Sequence, residues 1–432
     1  MDADRFLTHS LRDSRISRIL AASLEAVEPG RLIRQYLENN TLPPHDRLFL
    51  LGIGKAAEPM TMAAVGYFED FDDALIITKQ SLGIFNKNVA SRIHNRVTVL
   101  EAGHPIPDDR SLAAGRSVLD FVSRLTKDDL LICLISGGGS ALIASPRNGL
   151  PLTDIQLLTS SMISLGATID ELNILRCQVD ELKGGGLAEA AKAKVVSLIL
   201  SDVIGDNLAV IASGLTVPRQ ANLVQVLAIL KKYRVEDSVS SATMNLLTRE
   251  LKSDGSIFER VKNVIVANNR SAAEGALIEA KTQGFYTEII NTSLHGEAQK
   301  IGELLAEDLK MADQEKQHPF CLVLGGETTV TIHGIGKGGR NQELALAAVD
   351  SLKNSKNLML ISLATDGNDG PTDAGGAVVT GESYRRSINL GMDPLDYLSR
   401  NDSYSFFERL GDLLKPGYTG TNVNDLIFLS GL

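Results

Sequence analysis

Residues 129–145 read DLLICLISGGGSALIAS, and the fold is decided by how that stretch is divided. Leu130–Ile135 is an unbroken apolar run of strand length, as expected of a strand buried on both faces. It gives way to Ser136, Gly137, Gly138, Gly139 and Ser140, and apolar character resumes at Ala141. The reading is a strand, a glycine turn and a helix. Such a turn presents backbone N–H groups at a helix N-terminus, where the helix dipole favours an anion. Glycine also removes the Cβ atoms that would block close approach. A tight structural turn would use the same residues, but three further polar glycine turns elsewhere favour a ligand.

Working outward, the same grammar repeats. Upstream, strands are expected at residues 47–53, 74–78 and 97–101, with helices at 60–67 and 111–125. Residues 5–40 carry apolar residues at roughly helical spacing. Downstream, helices at 153–165 and 169–182 precede a strand at 195–200; the second helix opens on the capping box Thr168–Glu171. Strands alternating with helices imply parallel crossovers and a doubly wound, mostly parallel α/β sheet. Residues 219–260 read as helical and close a first domain, 1–258. A smaller α/β domain, 259–432, follows, with strands at 261–267, 320–324, 358–364 and 426–429.

Composition excludes several classes of function. The 432 residues carry 43 Lys and Arg against 53 Asp and Glu, a net charge of −10. That argues against nucleic acid or an anionic membrane as partner. Cys133, Cys177 and Cys321 are few and widely spaced, so neither a disulfide framework nor a zinc site is expected. The N-terminal residues show no signal-peptide pattern and no apolar run reaches membrane-span length, so the expected location is the cytoplasm. A homo-oligomer is compatible with this composition.

The chemistry-bearing loops all follow expected strands, the edge at which open α/β sheets bind ligands. Gly52-Ile53-Gly54-Lys55-Ala56-Ala57 imitates a dinucleotide fingerprint, but the next strand ends in Thr78-Lys79 rather than in the acid that would hold a ribose. Lys55 is the informative residue. A lysine at a helix N-terminus opposes the dipole, and an anionic ligand would explain its position. Lys183, before Gly184-Gly185-Gly186, either reaches phosphate or serves as a cation at a helix C-terminus. Gly325, Gly326, Glu327 and Thr328, expected to contact phosphate or substrate, and GIGKGGR at 334–340 flank one short expected strand over 327–333; Arg340 could grip a carboxylate or phosphate with two N–H bonds. Asp366, Asp369 and Asp373 share a loop and suit Mg²⁺, although Asx turns would use the same residues. Asp202 and Asp206 form a second acidic loop, and Asp202 is the first candidate for a catalytic base.

Taken together, LGIGKAA, GHPIPD, LISGGGSAL, LKGGGLA, LILSDVIGD, ASGLTVP, LGGETTVTIHGIGKGGRNQE, ATDGNDGPTDAGG and TGTNVND give the chain a resemblance to the class II glycerate 2-kinases with a C-terminal MOFRL domain. It covers nearly the whole chain. The resemblance implies a Rossmann-like N-terminal domain, a smaller MOFRL domain and an active site in the cleft between them. It implies ATP-dependent phosphorylation of D-glycerate at the 2-hydroxyl, with Mg²⁺. The family's proposed essential lysine and arginine match Lys55 and Arg340. Cys177 and Gln178 stand where many relatives carry a basic residue and a histidine, and Leu215 where many carry proline. Some members are labelled hydroxypyruvate reductases, which makes NAD(P)H-dependent reduction the alternative reading; a non-catalytic metabolite-binding protein is the second.

Overall fold

The computed structural model describes every residue except 69, 88–94, 220–221 and 252–253. The chain divides into two units, Pro29–Val266 and a second made of Met1–Glu28 with Ala267–Leu432.

The Pro29–Val266 unit is built on a six-stranded sheet. Its strands are β1 (Leu48–Ile53), β2 (Asp73–Thr78), β3 (Val97–Glu101), β4 (Leu130–Ile135), β5 (Lys194–Leu200) and β6 (Val261–Ala267), in the order β3-β2-β1-β4-β5-β6. β1 pairs in parallel with β2 and β4, β2 with β3, and β4 with β5. Every residue of β1 and β4 is buried, which is why these strands read as continuous apolar runs. Helix Asp109–Ser123 covers one face. It is fixed at its start by a capping box between Asp108 and Ser111 and buries Val118, Phe121 and Val122. The helical stretch expected at 219–260 is present as Leu223–Tyr233 and Ser241–Leu247. These pack with Leu152–Ser164 and Ile169–Val179 around Leu158, Met162, Leu175 and Val226.

Sheet order explains where a site must form. From β1 the chain proceeds to β2 on one side, and β4 lies on the other, so connections leave the sheet in opposite directions at this pair. The crevice at their carboxyl ends is the topological switch point. The loops that meet there are residues 54–56 and 136–140.

The other unit carries a mixed sheet. Its strands are β7 (Tyr286–Glu297), β8 (Phe320–Thr329), β9 (Leu358–Ala364), β10 (Gly376–Thr380), β11 (Leu413–Leu414) and β12 (Asp425–Gly431), in the order β11-β10-β9-β12-β8-β7. β7 and β8 are parallel, whereas β8, β9 and β10 are joined through antiparallel pairs. Residues 1–28 were expected in the first domain and belong instead to this unit. The physical reason is the buried Asp412, which accepts hydrogen bonds from Thr8 Oγ1 (3.0 Å), the Ser10 N–H (2.7 Å) and Arg386 (2.8 Å). Helix Ser14–Glu25 then packs on helix Asn269–Thr282. Among the described residues, no helix is long and apolar enough to cross a membrane.

Candidate active site

At the switch point the β1 and β4 loops are locked together by their backbones. The Lys55 N–H donates to the Gly137 carbonyl (2.9 Å), and the Ala56 N–H donates to Ser136 Oγ (2.9 Å). Ser136 is therefore a buried brace rather than a ligand contact. Gly54 must be glycine: its φ is +129°, and a methyl group there would collide with the Ser136 backbone. Gly138 takes the left-handed conformation (φ +86°) and turns the chain into the helix Gly139–Leu142. That helix is a single turn, so the expected dipole contribution is small. The expected N–H donors are there, however. Among the described residues, none of the backbone N–H groups of Gly137, Gly138, Gly139 and Ser140 has a hydrogen-bond acceptor. Unpaired consecutive N–H groups in a left-handed turn form an anion-binding concavity.

Side chains converge on the same turn. A methyl group at Gly138 would come within 3.5 Å of Lys55 Cγ and 3.1 Å of His104 Nε2, and one at Gly137 would collide with the Asp202 carboxylate. Lys55, His104 and Asp202 thus surround the glycine loop, each from the end of a different strand. Burial, then the charges of Lys55 and Lys79, pull the His104 pKa down to about 4, so its imidazole is neutral at neutral pH. Ser140 Oγ lies 2.7 Å from Ser213 Oγ, and Ser213 donates to Asn173 Oδ1 (2.8 Å). Ala212 and Ser213 hold positive φ values of 48° and 58°. Two successive non-glycine residues in that region are strained, as residues at functional sites often are.

Lys183 is not part of this set. Its ammonium is buried, donating to Asp180 Oδ2 (2.7 Å) and the Ile143 carbonyl (3.1 Å). Both Asp180 oxygens are further held by the Ser145 and Leu182 N–H groups. The lysine locks the 183–186 turn to the β4 segment and does not reach toward phosphate.

The second cluster lies in the other unit. Arg340 opens helix Arg340–Ser351 and donates through Nε (2.5 Å) and Nη2 (3.1 Å) to Asp425, and through Nη1 to Glu327 (2.6 Å). Burial opposes the charge, but Asp425 and then Glu327 hold the guanidinium above arginine's usual pKa range. Its fork is occupied by a buried carboxylate, where the sequence suggested an open grip on substrate. Gly326, Glu327 and Thr328 continue β8, which runs without a break to Thr329 where a separate strand over 327–333 was expected, and Thr328 is buried.

The acidic loop is also corrected. Asp369 is buried and accepts from the Asn341 N–H (3.1 Å) and the Gln342 N–H (2.8 Å), capping the helix that Arg340 begins. Asp373 accepts from Tyr404 (2.7 Å) and Lys415 (3.1 Å), and Asp366 accepts from the Asn368 N–H (3.0 Å). The three carboxylates serve separate local structures. Among the described residues no group of three His, Cys, Asp or Glu is arranged to hold a metal ion.

A family model described as Domain of unknown function (DUF4147) matches residues 15–248, and one described as MOFRL family matches residues 320–425. The D-glycerate 2-kinase of Thermotoga maritima is 39% identical over 418 residues, spanning 95% of this chain and 96% of that protein. The chain belongs to the glycerate 2-kinase family. The family's glycerate 2-kinase from Pyrococcus horikoshii is 34% identical, spanning 95% of both chains. The crystal structure of Thermotoga maritima glycerate kinase superposes with a TM-score of 0.87 at 38% identity, covering 96% of this chain and 98% of that one. A family relative from Agrobacterium vitis, 34% identical over 95% of this chain and 92% of its own length, is called a putative hydroxypyruvate reductase.

Against this family background, reading the sequence overlooked His104, Ser213 and Asp425 as members of the two clusters. GHPIPD, ASGLTVP and TGTNVND were visible as motifs. What was missing was the register that brings His104 beside Gly138 and Asp425 beside Arg340.

Proposed function

We propose that this chain is an ATP-dependent D-glycerate 2-kinase, transferring the γ-phosphoryl group to the 2-hydroxyl to give 2-phosphoglycerate and ADP. The observation that carries this reading is the row of four unpaired N–H groups at 137–140 beside Lys55, at the switch point of the sheet. Phosphoryl transfer needs mainly positioning and charge neutralisation, and the turn supplies both without a Walker-type loop. The N–H groups hold phosphate oxygens, and Lys55 faces the charge on the transferring group. The hydroxyl oxygen of glycerate bonds to the γ-phosphorus as the bond to the bridging oxygen breaks. Asp202 takes the hydroxyl proton, while His104, held neutral, contributes a hydrogen bond without adding charge. Arg340, anchored by Asp425 and Glu327, keeps residual N–H donors for an anion within its own unit.

Mg²⁺ bound with the nucleotide would spread the phosphate charge. It ordinarily takes one or two carboxylates and the phosphates themselves. Among the described residues no group of three His, Cys, Asp or Glu is arranged to hold it, the loop of Asp366, Asp369 and Asp373 included. The three cysteines are buried thiols, which suits a cytoplasmic enzyme.

The reductase reading is carried by the names of two relatives, and β2 ending in Thr78 rather than in an acid weighs against it. Purified protein should release ADP from ATP only when D-glycerate is present and should form 2-phosphoglycerate. Formation of 3-phosphoglycerate alone would overturn the regiochemistry. NADH oxidation with hydroxypyruvate, without kinase turnover, would establish the alternative. Glycerate binding with neither turnover would leave a metabolite-binding protein.

A further inference from the structure

Within the Pro29–Val266 unit a cavity of about 180 Å³ opens among Asn173, Cys177, Gly184, Pro218 and Arg219. The Nε of Arg219 is buried and has no hydrogen-bond partner among the described residues, and the same is true of the Nε of Arg147. A methyl group on Gly184 would sit 3.3 Å from the Arg219 Nε and 3.1 Å from the Cys177 sulfur, so the guanidinium is packed into the cavity wall. Burial, then repulsion from Arg147, pulls the Arg219 pKa below its usual range. Each of these half-buried arginines buries an Nε without a partner, and Arg147 repels Arg219 while Glu189 acts in the opposite sense; a buried donor left without an acceptor costs stability. Such an arrangement persists where a ligand supplies the missing charge, and a guanidinium fork matches a carboxylate with two parallel hydrogen bonds. Asp170, exposed on the rim, is the single carboxylate lining the cavity.

The cavity is wired to the phosphate turn. Asn173 in its wall accepts from Ser213 (2.8 Å), whose hydroxyl lies 2.7 Å from that of Ser140. A molecule seated there is linked to the glycine turn through this chain of hydrogen bonds. The space is smaller than the ~300–1,000 Å³ of drug-sized pockets. It suits a small organic acid rather than a nucleotide. We infer that this cavity seats the carboxylate end of the acid substrate, with Arg219 as its principal cation and Arg147 beside it. The inference rests on the kinase reading for the identity of that acid.

The test is isothermal titration of the full chain with D-glycerate, a panel of other small 2-hydroxy carboxylates and ATP, each alone, followed by kinetics. Arg219→Gln should weaken binding of the carboxylate about 10–100-fold, the scale of a lost charge-assisted hydrogen bond. It should raise KM for the acid and leave ATP binding within about twofold. Arg219→Lys should recover part of the loss. Because the free arginine buries an Nε with no acceptor, Arg219→Gln should keep or raise the Tm, and a saturating carboxylate should raise the wild-type Tm. A lowered Tm with unchanged carboxylate affinity would make Arg219 structural and overturn the inference. Weakened ATP binding with unchanged carboxylate binding would assign the cavity to phosphate and overturn it as well. If wild type turns over no glycerate yet another carboxylate binds and is lost in Arg219→Gln, the cavity stands and the kinase reading falls. No carboxylate binding by wild type overturns the cavity.

Discussion

Lys183→Ala separates a ligand lysine from a structural one. The ammonium and the Asp180 carboxylate are 2.7 Å apart, with side chains 4% and 2% exposed. Removing the lysine leaves Asp180 charged and out of water. Breaking one side of such a buried pair costs about 3–5 kcal/mol, or roughly 6–20 °C in Tm for a unit of this size. The double variant Lys183→Met with Asp180→Asn should recover part of that, because the stranded charge is gone, while the single amide oxygen can accept from only one of the Ser145 and Leu182 N–H groups. The assay is thermal unfolding alongside steady-state kinetics well below the lowered Tm. The folded double variant should keep KM for ATP and glycerate within about threefold of wild type, a change of well under 1 kcal/mol. A Tm unchanged in Lys183→Ala, with KM for either substrate raised tenfold or more, would refute the structural role and return the lysine to the phosphate site.

Gly137→Ala adds a methyl group where the Asp202 carboxylate now sits, at a position whose φ is not left-handed. The carboxylate can swing away, so Tm should move by only a few degrees, while kcat falls at least tenfold; wild-type kcat would remove Asp202 from the reaction. Asp369 is pushed up to about 6, chiefly by burial and with Asp425 adding to it, against an ordinary 3.8. Its folded pKa is the higher one, so its contribution is present below about pH 4 and lost as pH rises through about 6. Urea unfolding from pH 4 to 7 should show that slope, and Asp369→Asn should flatten it; an unaltered slope would show that another group titrates there. His104, with its pKa near 4, should show ring NMR shifts that are flat from pH 5.5 to 8 in the free protein. A bound phosphate anion should raise that pKa, and a free-protein midpoint near 6.5 would contradict the buried, cation-flanked setting.

Much of the fold was readable because the central strands are buried on both faces. Leu130–Ile135 and Leu358–Ala364 show as apolar runs with sharp ends, and the structure starts and stops them at the same residues; the edge strand Val261–Ala267, half-buried and interrupted by Lys262 and Asn263, also keeps its expected bounds. β7 escaped notice for the opposite reason. Tyr286–Glu297 is exposed or half-buried at all but one position, rich in polar residues and broken by register shifts between Ile289 and Asn291 and between Asn291 and Leu294, so its alternation is lost. β10 is only five residues and follows directly on the acidic glycine loop. The glycine turn at 137–140 and Lys55 could be found because turn chemistry is local. The fates of Lys183, Asp369 and Arg340 depended on partners three to 85 residues away that no local rule names. A charged residue beside glycines looks the same in sequence whether it meets a ligand or a buried carboxylate.

The central claim is that phosphoryl transfer occurs at the 137–140 turn under the charge of Lys55. Its most direct test is the rate of 2-phosphoglycerate formation by Lys55→Met at saturating ATP and D-glycerate, with folding confirmed by circular dichroism. Losing one electrostatic contact to the transferring group costs about 3–4 kcal/mol, roughly 10²–10³ in kcat, with a much smaller change in either KM. That result is the prediction. A folded Lys55→Met protein with wild-type kcat and KM would contradict the account and make the lysine a bystander beside the turn.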